Sequence, residues 1–94
     1  MASIGVLTLE LRLENSHSLK DKRHVVKSLR DRLRNKFNVS VAEIDCQDLW
    51  QRAVVAAVTV SYDKVQAERI LQSVEDETAS LLGPALAGAS VEWI

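Results

Sequence analysis

The chain has 94 residues, 47% hydrophobic and 27% charged, with 12 Lys+Arg, 13 Asp+Glu and one cysteine. These values suit a single small domain over residues 1–94 and rule out a multidomain enzyme or an internal disulfide. A formal net charge of −1 rules out a generally basic, nucleic-acid-type composition.

The uncharged run at residues 53–62 is too short for a membrane-crossing helix. The start of the chain carries no basic segment, so no signal peptide is expected, and a cytoplasmic location is. The first element lies at residues 7–13, where Leu7, Leu9, Leu11 and Leu13 alternate with Thr8, Glu10 and Arg12. Period two places the leucines on one face of a strand and the polar residues on the other.

A polar loop follows at residues 14–17, and Ser18 can cap a helix, with Asp21 close to a capping-box position. Leu19, Val25, Val26, Leu29, Leu33 and Phe37 form its apolar stripe, and Asn38 ends it. A second strand begins at residues 39–41. Its alternation breaks at Ala42-Glu43-Ile44, which predicts a bulge or early turn.

Residues 53–62 form a third strand, rich enough in valine and alanine to be central. Asp63 caps a second helix, with Gln66 at the capping-box position. Its expected buried face is Ala67, Ile70, Leu71, Val74, Thr78, Leu81 and Leu82. Gly83-Pro84 stops it, residues 85–88 read as a linker, and residues 90–94 as a last strand. The order βαββαβ predicts an α/β plait of the ferredoxin-like kind, a four-stranded antiparallel sheet with two helices on one face.

Within this frame the charge is segregated. Residues 20–36 hold eight basic and two acidic side chains, a net of +6, which leaves −7 on the remainder. Lys20, Arg23, Lys27, Arg30 and Arg34 are spaced 3, 4, 3, 4 and share one helical stripe about 20 Å long. Such a row suits the phosphates of a nucleic acid. The alternative is a solvated helix face, or one paired with the acidic second helix, whose residues 63–82 sum to −3.

Catalytic constellations are sparse. His17 and His24 lack further metal ligands, and Cys46 has no second cysteine or nearby histidine, so no metal, cofactor or catalytic residue is expected. Glu43, Asp45 and Asp48 read first as a solvated turn in which Asp caps its own backbone, and second as a run that binds a cation or meets a basic partner. A hydrolase that uses Asp45, Asp48 and a histidine is the enzymatic alternative. No phosphate loop, nucleophile elbow or dinucleotide motif occurs, and no small-molecule ligand is identified.

Base stacking on the sheet is not expected, since only Tyr62 among the central-strand residues is aromatic. Trp50 either closes the end of the core or stands out as an anchor. The outward face of the third strand is taken to be the set with Val55, Ala57 and Thr59. With Trp50, these form a candidate interface for a homodimer or protein partner.

Ser18-Leu19-Lys20-Asp21-Lys22-Arg23 resembles the SLKDKR signature of the YlxP-like family of small bacterial proteins. The run from Phe37 to Glu43, with Asp45, Asp48, Trp50, Gln51 and Ala53, is similar to that family's second block. The resemblance implies a ferredoxin-like fold and a cytoplasmic bacterial protein. It also implies a link to RNA or the ribosome, because genes of the family often lie among translation genes. It implies no reaction and no catalytic residue.

Overall fold

The computed structural model describes residues 1–94. Strand β1 spans Ser3–Arg12 and starts four residues before the leucine alternation, because Ser3 to Val6 pair with β3 (Arg52–Ser61). Leu7, Leu9 and Leu11 are buried, as the period predicts, while Glu10 and Arg12 are exposed.

Helix α1 covers Leu19–Lys36. The Ser18 hydroxyl accepts the Asp21 N–H at 3.0 Å, and the Asp21 carboxylate accepts the His17 N–H at 3.0 Å. The cap is therefore reciprocal, with the return bond displaced by one residue.

Strand β2 runs Ser40–Asp45, and its register to β3 shifts between Glu43 and Asp45, where the alternation fails in the sequence. Helix α2 covers Lys64–Leu82. Asp63 caps it by accepting the Val65 N–H at 3.0 Å rather than through Gln66. Gly83 ends it at φ 56°, a left-handed conformation in which a Cβ is costly.

A single 3-10 turn, Gly83–Ala85, then leads directly into β4 (Leu86–Trp93). The linker expected at residues 85–88 is thus mostly strand, because the small residues Ala87, Gly88 and Ala89 lie along β1 and satisfy its second edge. The sheet order is β2-β3-β1-β4, antiparallel throughout. With α1 over β2 and β3, and α2 over β1, β3 and β4, this is the ferredoxin-like plait.

The core lies between sheet and helices: Leu7, Leu9, Leu11 and Leu13 meet Leu29 and Leu33 of α1, and Leu71 and Val74 of α2. Leu81, expected inside, is 39% exposed, because it lies to one side of the stripe through Leu71, Val74 and Thr78, whereas Leu82 packs against the core. Gly5 marks the tightest approach: a Cβ there would lie 2.7 Å from Leu71 Cδ1 and 2.8 Å from Trp93 Cζ3. No helix is long and apolar enough to cross a membrane.

Candidate nucleic-acid interface

Helix α1 presents three different edges. At 100° per residue, Lys22, Val26, Leu29 and Leu33 lie on the edge that faces the sheet. Arg32 and Lys36 lie on the flank toward α2, where they share one carboxylate: Arg32 Nε donates to Glu77 Oε2 and Lys36 Nζ to Glu77 Oε1, each at 2.6 Å. Those two charge-assisted bonds, Lys36 first, hold the Glu77 carboxyl below its ordinary value of 4.5.

Lys20, Arg23, Lys27, Arg30 and Arg34 occupy the flank turned away from α2, above the free edge of β2. Lys20, Arg23, Lys27 and Arg34 are exposed and take part in no ion pair. Arg30 reaches only its neighbour Asp31, at a long 3.4 Å. Helix pairing therefore accounts for Arg32 and Lys36, and leaves the stripe unneutralised.

Lys22 is the site residue that sequence reasoning missed. It is fully buried. Its Nζ donates to the carbonyl oxygens of Cys46, Gln47 and Arg52 at 2.6, 3.0 and 3.3 Å, and lies 3.0 Å from Glu43 Oε2. An ammonium has three protons, so four oxygens exceed its donors, and the Glu43 oxygen is left with charge contact but no hydrogen bond. The available signal was angular, since Lys22 falls in line with Val26, Leu29 and Leu33.

This cage folds the loop between β2 and β3. Cys46 takes φ 63°, its N–H donates to Asp45 Oδ1 at 2.8 Å, and its carbonyl also accepts the Leu49 N–H at 3.0 Å. Asp45 thus caps its own turn, the first of the two sequence readings. Gln51 ties the loop to the start of α1, as its Nε2 donates to the carbonyls of Glu14 and Ser16 at 3.2 Å each.

Trp50 stands 54% exposed on this loop, so it points outward and does not close the core. Val55, Ala57 and Thr59 require a correction. They are 1%, 0% and 2% exposed and lie under the helices, because Leu9 pairs with Val55 and Leu7 with Ala57, which puts them on the leucine face. The Thr59 hydroxyl is satisfied there by donating to the Asn38 carbonyl at 2.9 Å. The uncovered face of β3 instead carries Val54, Ala56, Val58 and Val60, beside Ile4, Val6 and Thr8.

No group of three or more His, Cys, Asp or Glu side chains converges where it could hold a metal. His24 lies instead at a cavity of about 480 Å³ between the loop after β1, the first turns of α1 and the end of α2. Leu13, Val25, Leu82 and Ala85 form its apolar walls, and Lys20 and Glu14 stand at it. Asp48 lies elsewhere, beside Trp50 and Arg52.

The plait is shared with solved structures of low sequence identity. A de novo designed protein, Foldit4, superposes with a TM-score of 0.55 at 16% identity, covering 100% of this chain and 94% of its own. A crystal structure from Arabidopsis thaliana gives 0.54 at 14% identity, with 97% and 92% covered. The designed protein LFR1 1, described as having a ferredoxin fold, gives 0.51 at 13% identity, with 100% and 84% covered. Sequence relatives are more specific. The Uncharacterized protein YlxP of Bacillus subtilis (strain 168) is 45% identical over 71 residues, covering 76% of this chain and 77% of that protein. The family described as Protein of unknown function (DUF503) matches residues 4–84, a span that contains α1, the Lys22 cage and both central strands. The chain belongs to this DUF503, or YlxP-like, family.

Proposed function

We propose that the protein is a non-enzymatic binding module that docks on RNA, or on the RNA of a ribonucleoprotein, through the outer flank of α1. One observation carries the reading: Lys20, Arg23, Lys27 and Arg34 remain unpaired while neighbouring cations on the same helix are consumed by Glu77. A rise of 1.5 Å per residue separates successive stripe residues by about 4.5 to 6 Å along the axis. That regular row is matched by consecutive phosphates more naturally than by the irregular carboxylates of a protein surface. Arginine adds bidentate grip at three of the five positions.

Binding is tested by titrating structured RNA at increasing salt. Five phosphate contacts give a log–log slope of roughly −4. The double variant Arg23→Glu, Arg30→Glu is expected to bind weakly, with a slope shallower by roughly 2. No binding at low salt, or an unchanged slope in the variant, removes the proposal.

A second reading has its own support, a homodimer through the uncovered sheet face. Val54, Val58, Val60, Ile4 and Val6 form an apolar surface there that the helices do not reach. Its centre is the small set Ala42, Ala56, Thr8 and Ser90. Small central residues let a second sheet approach to about 10 Å, the usual face-to-face spacing.

A further inference from the structure

The stripe does not end on an open surface. Its first residue, Lys20, also lies at the cavity beside the start of α1. We propose that this cavity receives the base of one unpaired RNA nucleotide, whose neighbouring phosphates run along α1. The inference rests on the RNA reading and adds a preference for unpaired nucleotides to it.

The volume, about 480 Å³, falls within the range of small-ligand pockets. Its walls suit a flat ring: Leu13, Val25, Leu82 and Ala85 supply apolar contact for the two faces of a base. Polar groups stand where the edge of a base would lie. Ser16 is 4% exposed and lines the cavity, and its hydroxyl is used in no hydrogen bond that fixes the loop, since Gln51 binds its carbonyl and Leu13 its N–H.

Charge decides which part of a nucleotide enters. Glu14 and Asp21 oppose Lys20 at the cavity, with His24 the other titratable group. Two carboxylates against one lysine disfavour a phosphate inside, whereas a neutral ring is accepted, and the Glu14 carboxylate favours an edge with an exocyclic amine. The phosphates remain on the flank, where Arg23, Lys27 and Arg34 take part in no ion pair. The sheet offers no aromatic platform to compete, because β1 and β3 carry no aromatic residue.

The test compares two RNAs of equal strand length at one salt concentration: a hairpin with a mixed-sequence unpaired loop, and a blunt duplex. Wild type is expected to bind the hairpin about tenfold more tightly. Ala85→Phe, which fills the cavity and changes no residue of the stripe, is expected to bring hairpin binding down to the duplex value. Circular dichroism checks that this variant folds, and Ala85→Leu replaces it if it does not. Backbone amide shifts of residues 13–16 and 85 should move with the hairpin only. Equal wild-type affinity for the two RNAs, or a preference that survives the filled cavity, overturns the base pocket and leaves the stripe standing. Failure to bind either RNA overturns both.

Discussion

An ammonium group without water persists only where oxygens replace its hydration shell, and Lys22 meets that condition with three carbonyls and a carboxylate. Lys22→Met fits the space but leaves the Glu43 carboxylate without a counter-charge and the three carbonyls without a donor. The expected loss is about 3–5 kcal/mol, measured by urea denaturation. Lys22→Arg is not expected to rescue it, because a planar fork of donors does not match a cage built around one nitrogen. A loss below about 1 kcal/mol would mean that the carbonyls find water instead. Gly5 is the second such position. Gly5→Ala forces Leu71 and Trp93 apart, an overpacking cost of about 1–3 kcal/mol. Trp93 emission in the folded state should shift with it. Neither position announces its role in the sequence: a lysine in a basic run reads as solvated, and a glycine near the chain start reads as neutral.

At the scale of elements, Glu77 joins the two helices, and its protonation sets an acid limit. The native carboxyl lies below the ordinary 4.5, so the stabilisation is complete above that value and is lost as pH falls toward the lowered native one. Glu77→Gln should flatten this part of the profile, read as the urea midpoint against pH between neutrality and strongly acid solution. Raising the salt should shrink the difference between the two proteins, because Arg32 and Lys36 are more than half exposed. Most of the elements were legible. The leucine alternation of β1, the caps at Ser18 and Asp63, the broken alternation in β2 and the Gly83-Pro84 stop all correspond to observed features. What failed was the choice of face on β3. Both of its faces are small and apolar, so period two cannot rank them, and only pairing with the leucines of β1 does so. The early start of β4 was hidden for a related reason, since Ala87, Gly88 and Ala89 have the composition of a loop and are held as strand by their partner.

At the scale of the whole molecule, the domain is elongated, 45 × 22 × 20 Å, with the apolar sheet face on one side and the helices on the other. In a sheet-to-sheet dimer, Val58→Glu would place a charge on the apolar patch in each copy. Multi-angle light scattering should then report a dimer for wild type and a monomer for the variant, with little loss of stability because Val58 is outside the core. A wild-type monomer at high micromolar concentration counts against the dimer and leaves α1 unaffected, since the stripe lies at the β2 edge and outside the sheet face. The stripe itself was legible as a pattern, but which cations were free was not, because Arg32 and Lys36 carry the same charge and differ only in facing Glu77. The cage around Lys22 has a mechanical consequence for that difference. If α1 turned or slid on the sheet by one residue, the ammonium would leave its only set of oxygens, so the helix is keyed to a single angular setting. The row of cations on its outer flank therefore keeps a constant bearing relative to the cavity and to Trp50, as a ruled edge does when one pin and one slot locate it.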